Sequence, residues 1–461
     1  MKKCFYFLLA GLAMAACCLL FPGCSRESEK SPDTLWIVTE KTTKDGMNGQ
    51  AEHIIKAFEK AHEGVTVELE ILPEEGQERE IRLEKLRAAI MAGKGPDGFL
   101  LPLCTYQNEP LFMDVNQAMY AGLFADISEY YDADDTEGLL DVVMDAGVVD
   151  GGRYVLPLRY DMPVIYTDRA LLENSDLDES QMAEGVLEFW EEVRSSEDAN
   201  WLRGSFLQKG YQMGESFCLP AQVDYESGVV AISREELIRY FTACQQIREA
   251  QGDLFFDTVG YVLGYLNGGT FFHEGHPMEV SRLGEVIEYA SIAEAEGREL
   301  VMIPLGTTDG KTVAMVTYYA AVGAGCTDPE LTYEFLREFL TEQSQWEQNR
   351  MISGMYATGL IEEGWPVRSI GAAEPLWDVC MKIYQRTGDE AYREKLFAVT
   401  LTDEDLPILN TQIDKVRFAT VYLDEQIIGT RRQALYDSEF TDIGKLADQI
   451  IKDLEHHLAE G

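Results

Sequence analysis

The sequence predicts an α/β chain of more than one domain, built on mostly parallel sheets flanked by helices. Two observations predict it. Across residues 35–102, short apolar runs alternate with amphipathic stretches in the order strand, helix, strand, helix, strand, which sets successive strands parallel with helices packed across them. The chain also has 461 residues, beyond the roughly 250–300 at which a single hydrophobic core stops growing, so two domains are expected. Hydrophobic residues at 46% and aromatics at 10% exclude a disordered chain.

The elements follow in order. LWIVTE at 35–40 is a short apolar run bounded by polar residues and reads as a buried strand. Gly46 and Gly49 mark a loop. Ile54, Ile55, Ala57, Phe58 and Ala61 then recur at helical spacing. VTVELEIL at 65–72 alternates Val65, Val67, Leu69 and Ile71, the period of a strand. Ile81, Leu83, Leu86 and Ile90 return to helical spacing over 78–92, and Gly93, Gly95 and Pro96 stop that helix. DGFLLPL resumes as a strand.

Ahead of this body lies a seam. Residues 4–23 carry no charge, Lys2 and Lys3 precede them, and residues 25–34 read SRESEKSPDT. A basic start, an apolar run and a small residue before the break describe a secretory signal. With Cys24 directly after Gly23, LLFPGC-S resembles a bacterial lipoprotein signal, in which the cysteine becomes the lipidated N-terminus. The expectation is a signal peptide over 1–23, lipidation at Cys24, and a flexible stalk over 24–33. The protein would then be exported and tethered by lipid, facing the extracellular or periplasmic side. Phe21 and Pro22 depart from the usual pattern, and Cys17 after Met14-Ala15-Ala16 is a rival site. Roughly 20 apolar residues can also span a bilayer, but Gly11, Pro22, Gly23 and four cysteines make a poor span.

The formal charge is −43. Such a surface repels nucleic acid and anionic lipid and favours solubility, so no nucleic-acid partner is expected. Of nine cysteines, five lie in the body: Cys104, Cys218, Cys244, Cys326 and Cys380. Their number is odd and their spacing wide, which is neither a disulfide framework nor a zinc motif. One bridge is open to them; buried free thiols fit better.

The order of segments carries a resemblance. A strand and loop lead to a helix running into FEKAHEGVTVELE, a helix running into AAIMAGKGPDGFLL, and a segment ending LFADISEYYD. GGRYVLPLRYDMPVIYTDRALL, FWEEV at 189–193, FFHEGHPMEVSR at 271–282, residues 311–348 and LADQIIKDLEHHLAE follow. Together they resemble the solute-binding proteins of ABC transporters, in the sugar-binding group that includes maltose-binding protein. The resemblance runs from about 35 to 461. It implies a two-lobed fold joined by two or three hinge strands. The N-terminal lobe would be 34–158 with 313–370, and the C-terminal lobe 163–310 with 372–461. A small solute, favoured to be a sugar, would sit in the cleft between them. An ABC permease would be the partner, the binding protein would be a monomer, and no cofactor is implied.

A pyranose is held by an aromatic ring against its apolar face and by polar groups in the plane of its hydroxyls. Candidates must therefore lie at strand ends, in loops or at the crossings. Glu40 and Thr43 follow the first strand, in the family's first ligand loop. Tyr106 follows the third. Tyr160 and Asp161 sit in the first crossing, and strand alternation puts Asp161 with Arg159 on one face and Tyr160 on the other. Arg282 follows the Met278 strand. Tyr318 and Tyr319 lie on the return crossing, where one should point inward and one outward. Trp365 precedes Pro366 near the last crossing. Trp190 and Trp201 read as packing residues, and Tyr225 as a weaker candidate.

Enzymatic motifs are missing. There is no Walker loop, GxSxG, HExxH or CxxC. His456 and His457 are adjacent on a helix and point apart, so they make no ligand pair. The expectation is a binding protein and not an enzyme. The readings of other classes are a lipid-anchored carbohydrate-active enzyme, since a carboxylate pair can hide among 81 acids, and a solute-binding sensor without transport. Glu40, Asp161 and the acidity keep an amine or peptide ligand open.

Overall fold

The computed structural model describes residues 34–40, 47–102, 109–132, 136–173, 176–182, 184–195, 218–251, 278–282, 290, 293–341, 344–345, 365–367, 390–399, 411–418, 420, 422–436 and 442–460. Chain order begins as the periodicity predicts: β1 (Thr34–Thr39), α1 (Met47–Ala61), β2 (Thr66–Ile71), α2 (Gly76–Met91) and β3 (Gly98–Pro102). β1 pairs in parallel with both β2 and β3. The apolar stripe of α1 puts Ala51, Ile54 and Phe58 into the core. Gly93, at φ +68°, ends α2 in a left-handed turn that a side chain would disfavour, and its amide donates to the Ile90 carbonyl at 2.9 Å.

α3 (Val115–Tyr120) is capped by Asp114, which accepts from the Gln117 amide at 3.0 Å. A hairpin of β4 (Val148–Val149) and β5 (Gly152–Arg153) leads into β6 (Leu156–Asp161), all of whose residues are buried. After Met162 the chain starts β7 (Pro163–Asp168), which lies in a different sheet. α4 (Val186–Ser195), the hairpin of β8 (Val223–Asp224) and β9 (Val229–Val230), and α5 (Arg234–Gln251) follow. β10 (Met278–Arg282) and β11 (Leu300–Pro304) flank β7 as antiparallel partners. β12 (Val313–Val322) returns to the first sheet, followed by α6 (Pro329–Arg337), β13 (Trp365–Pro366), β14 (Lys415–Phe418) and the closing α7 (Ile443–Glu460).

The first sheet has the order β13-β6-β12-β3-β1-β2, with β14 also on β12. Its β2-β1-β3 part is the parallel unit predicted from the sequence. β12 enters antiparallel to β3 and β6 because it comes back from the other sheet. Gly98 is needed where α6 crosses β3: a Cβ there would lie 2.9 Å from Ile37 Cδ1 and 3.1 Å from Thr332 Cγ2.

Apolar layers cover both faces of this sheet. Leu35, Ile37, Phe58, Phe335 and Phe339 fill one. Val38, Phe99, Phe112, Phe124 and Phe418 fill the other. A separate core joins Phe189, Trp190, Phe241, Leu305, Leu423 and Leu446 around the second sheet. Trp190 is fully buried there, the packing role read from the sequence, and its Nε1 donates to Gln246 Oε1 at 3.3 Å. Each large apolar side chain buried this way contributes about 1.5–3 kcal/mol. Cys218 and Cys244 are buried free thiols and Cys326 is a half-buried one. Among the described residues no helix is long and apolar enough to cross a membrane. Cys24 and Trp201 lie outside the described residues.

Candidate functional site

The carboxyl edge of the parallel strands is where open α/β sheets place ligands. In this protein it is organised around one ion pair. Glu40 directly follows β1, and Arg79 enters from the first turn of α2. Both are 4% exposed. Nη1 of Arg79 donates to Glu40 Oε2 and Nη2 to Oε1, each at 2.7 Å, a bidentate fork. The same guanidinium donates to the Pro73 carbonyl at 2.8 Å through Nη1. It reaches the Glu109 carbonyl at 2.7 Å through Nη2 and at 3.3 Å through Nε. Its five N–H donors are thereby all engaged.

Under this edge lie the two tyrosines of β12, both buried. They point to opposite faces, as alternation requires. Tyr318 joins the layer of Ile37 and Phe335, and Tyr319 the layer of Phe99 and Phe418. Tyr318 Oη lies 3.4 Å from Thr39 Oγ1 and 3.5 Å from the Leu100 carbonyl. The Tyr319 ring meets Phe418 edge-on at 5.9 Å. Burial, and then the charge of Glu40, push the Tyr319 hydroxyl well above its usual pKa. Neither ring reaches solvent, because β12 is central in the sheet.

The crossing gathers the next group. Tyr160 and Asp161 end β6, both buried. Asp161 Oδ1 accepts from the Met162 amide at 2.9 Å. Tyr160 packs in the layer of Leu156 and Leu158. Burial, with Asp161 adding to it, raises its hydroxyl pKa strongly. Register then brings distant strands here: Trp365 opposes Tyr160, and Arg282 opposes Pro163. Tyr160, Asp161, Arg282 and Trp365, which span 160 to 365, therefore lie on strands paired just before or just after Met162. Thr43 and Tyr106 lie outside the described residues.

Two further features stand apart from these residues, the first at Tyr225, the weaker candidate of the sequence. Tyr225, after β8, donates its hydroxyl to Asp114 Oδ2 at 2.5 Å and lies 2.9 Å from His457 Nε2 of α7. This contact ties the helix cap of α3 to elements packed on the second sheet. Burial lifts Asp114 to a pKa of about 6, against the lowering effect of the Tyr225 hydrogen bond. The second feature is a cavity of about 300 Å³ beside the start of β12 and β14. Asp145, Asp309, Asp414, Lys311, Lys415 and Arg417 are among its walls, three acids and three bases. Arg79 is one of four basic residues in EREIRLEKLR, so nothing in the segment singled it out. Nothing local marks Asp114 or the residues around the cavity. Among the described residues no group of His, Cys, Asp or Glu is arranged to hold a metal ion.

Comparison with known proteins agrees with the resemblance read from the sequence. Residues 44–196, a third of the chain, match the family model of the bacterial extracellular solute-binding proteins. No curated protein matches. Among solved structures, the sugar-binding protein MalE from Xanthomonas citri is similar at 14% identity, TM-score 0.55, over 93% of this chain and 98% of its own. A de novo designed cysteine esterase is similar at 14% identity, TM-score 0.52, over the same shares. A family 1 extracellular solute-binding protein from Alicyclobacillus acidocaldarius is similar at 16% identity, TM-score 0.47, over 93% and 100%. At such identities the likeness is one of fold, and the fold is the two-lobed α/β architecture of periplasmic binding proteins.

Proposed function

We propose that this protein captures a small solute, a carbohydrate, in the cleft between its lobes and delivers it to an ABC permease. The observation that carries this reading is the crossing at Met162. The chain passes there from one sheet to another, within a segment that matches the solute-binding family. Hinge closure about such a crossing encloses a ligand that touches both sides. The lobes would be 34–158 with 313–370 and 163–310 with 372–461. β14, from the last stretch, adds a further passage by pairing with β12.

A neutral ligand is favoured over an amine because the acid at the end of β1 is already paired. Glu40 is neutralised by Arg79. MalE, a sugar-binding protein by name, supports the carbohydrate class. Asp161, Arg282 and Trp365 would line the cleft at the crossing, over Tyr160. Glu40 and Thr43 after β1 and Tyr106 after β3 would form the first-lobe wall, over Tyr318 and Tyr319. The chain would be monomeric, anchored by lipid at Cys24 and exported. The family that matches is one of binding proteins, so no catalysis is expected.

A thermal-shift screen of the mature chain against sugars, polyamines and short peptides tests the reading. A ligand present at about 100 times its dissociation constant adds about 2.7 kcal/mol of stability. Stabilisation by a saccharide is expected. Stabilisation by polyamines alone would reject the carbohydrate class, and saccharide hydrolysis by the pure protein would reject the binding role.

A further inference from the structure

We infer that Arg79 is the positioning residue of the ligand-facing sheet edge, holding Glu40, Pro73 and Glu109, which lie beyond the ends of β1, β2 and β3, in one arrangement; this rests on the solute-capture reading. Glu40 stands at the end of β1, Pro73 just after β2, and Glu109 seven residues after β3. These are the exits of three adjacent parallel strands. One buried guanidinium bonds to all three. Two of its anchors are backbone carbonyls, so it sets the course of the chain there as well as pairing a charge. A planar fork with five fixed donors suits this task. An ammonium has three donors, no fork, and a single centre from which to reach them.

Arg79 also sets the charge character of the edge. With Glu40 forked by a guanidinium, the buried pair is neutral as a whole, which suits hydroxyl-rich neutral solutes better than cations. The pair additionally holds Glu40 beneath the surface, beside Tyr319. Glu40 therefore shapes the wall through Arg79.

The test uses the full chain with two variants, Arg79→Lys and Glu40→Gln. Three quantities are measured: amide hydrogen exchange, melting temperature, and calorimetric affinity for maltotriose and for mannotriose. Arg79→Lys keeps a charge beside Glu40 and loses the reach to the carbonyls. Exchange in peptides covering 70–75 and 109–119, which hold the bonded amides of Leu72, Gln117 and Ala118, is expected to quicken at least tenfold. Peptides from α5 and α6 are expected to keep wild-type rates, and the trisaccharide that wild type binds is expected to bind at least tenfold more weakly. Glu40→Gln keeps the carbonyl contacts, so the two peptides should stay protected even if the melting temperature falls.

Wild-type exchange at both peptides in Arg79→Lys would overturn the inference. So would exchange quickened evenly over the chain, which marks a purely structural role. Equal loosening of 109–119 by Glu40→Gln would assign the effect to the charge pair and also overturn it. Wild type that binds neither trisaccharide would count against the sugar reading, and the exchange comparison would still decide the role of Arg79.

Discussion

Asp161 closes β6 with its carboxylate turned back on its own chain, Oδ1 accepting from the Met162 amide at 2.9 Å. Such a group shapes the crossing, and in the proposed cleft its carboxylate would accept from a hydroxyl of the solute. A hydrogen bond to a charged group contributes about 1.5–3 kcal/mol. Asp161→Asn keeps shape and removes charge, so it should weaken saccharide binding about tenfold with little change in melting temperature. Tyr160→Phe should be nearly silent, because that ring packs in the core layer with Leu156 and Leu158. Calorimetric titration of both variants compares them, and an unchanged affinity in Asp161→Asn would remove this residue from the site. Glu40 teaches a related lesson. The sequence marks it as an acid at a strand end, and so it is. Its partner Arg79 is 39 positions away, and no local pattern can announce a bond across that separation.

At the scale of elements, the contact between α3, the β8–β9 hairpin and α7 has a pH dependence of definite sign. Asp114 is raised from its ordinary 3.8 to about 6, mainly by burial. Facing it are the Tyr225 hydroxyl, the charge of Asp424, and His457 beyond the tyrosine. Between about pH 4 and pH 6 the folded chain holds a proton that the unfolded chain has released. Stability from this group is therefore greatest below that window, falls as pH rises through it, and is level above. The full span is on the order of 3 kcal/mol. Asparagine is as good a helix cap as aspartate and carries no titration, so Asp114→Asn should remove this fall. Urea midpoints of both proteins from pH 4 to pH 7 give the comparison. Parallel curves would mean that Asp114 titrates normally.

For the whole molecule, the two-lobed fold and the proposed anchor make separate claims on the same chain. Lipidation at Cys24 would attach the body through the stalk 24–33, and one acyl chain holds a membrane only marginally, so stable attachment needs two or more. Cys24→Ser should release the protein from the membrane fraction or leave a precursor of higher mass. Membrane retention with unchanged mass would point to Cys17 or a spanning segment. The acidic surface, −43 over the chain, keeps such a tethered body away from anionic lipid headgroups.

Much of the fold was legible because its causes are local. Apolar periodicity over 35–102 placed β1, α1, β2, α2 and β3 within a few residues, since each element must bury one face and its spacing records which. The length alone required a second core, and one formed around Trp190 and Phe241. The order of segments pointed to the family that residues 44–196 match. Tertiary structure decided what depends on pairing across distance. It set Trp365 against Tyr160, Arg282 against Pro163 and β14 against β12. It buried Tyr318 and Tyr319 on opposite faces of a central strand, and it gave Glu40 to Arg79. The physical reason is range. Propensity and periodicity act over a few residues and are written in the sequence next to their effect, whereas register, burial and charge pairing arise only when the folded sheet brings remote strands within bonding distance.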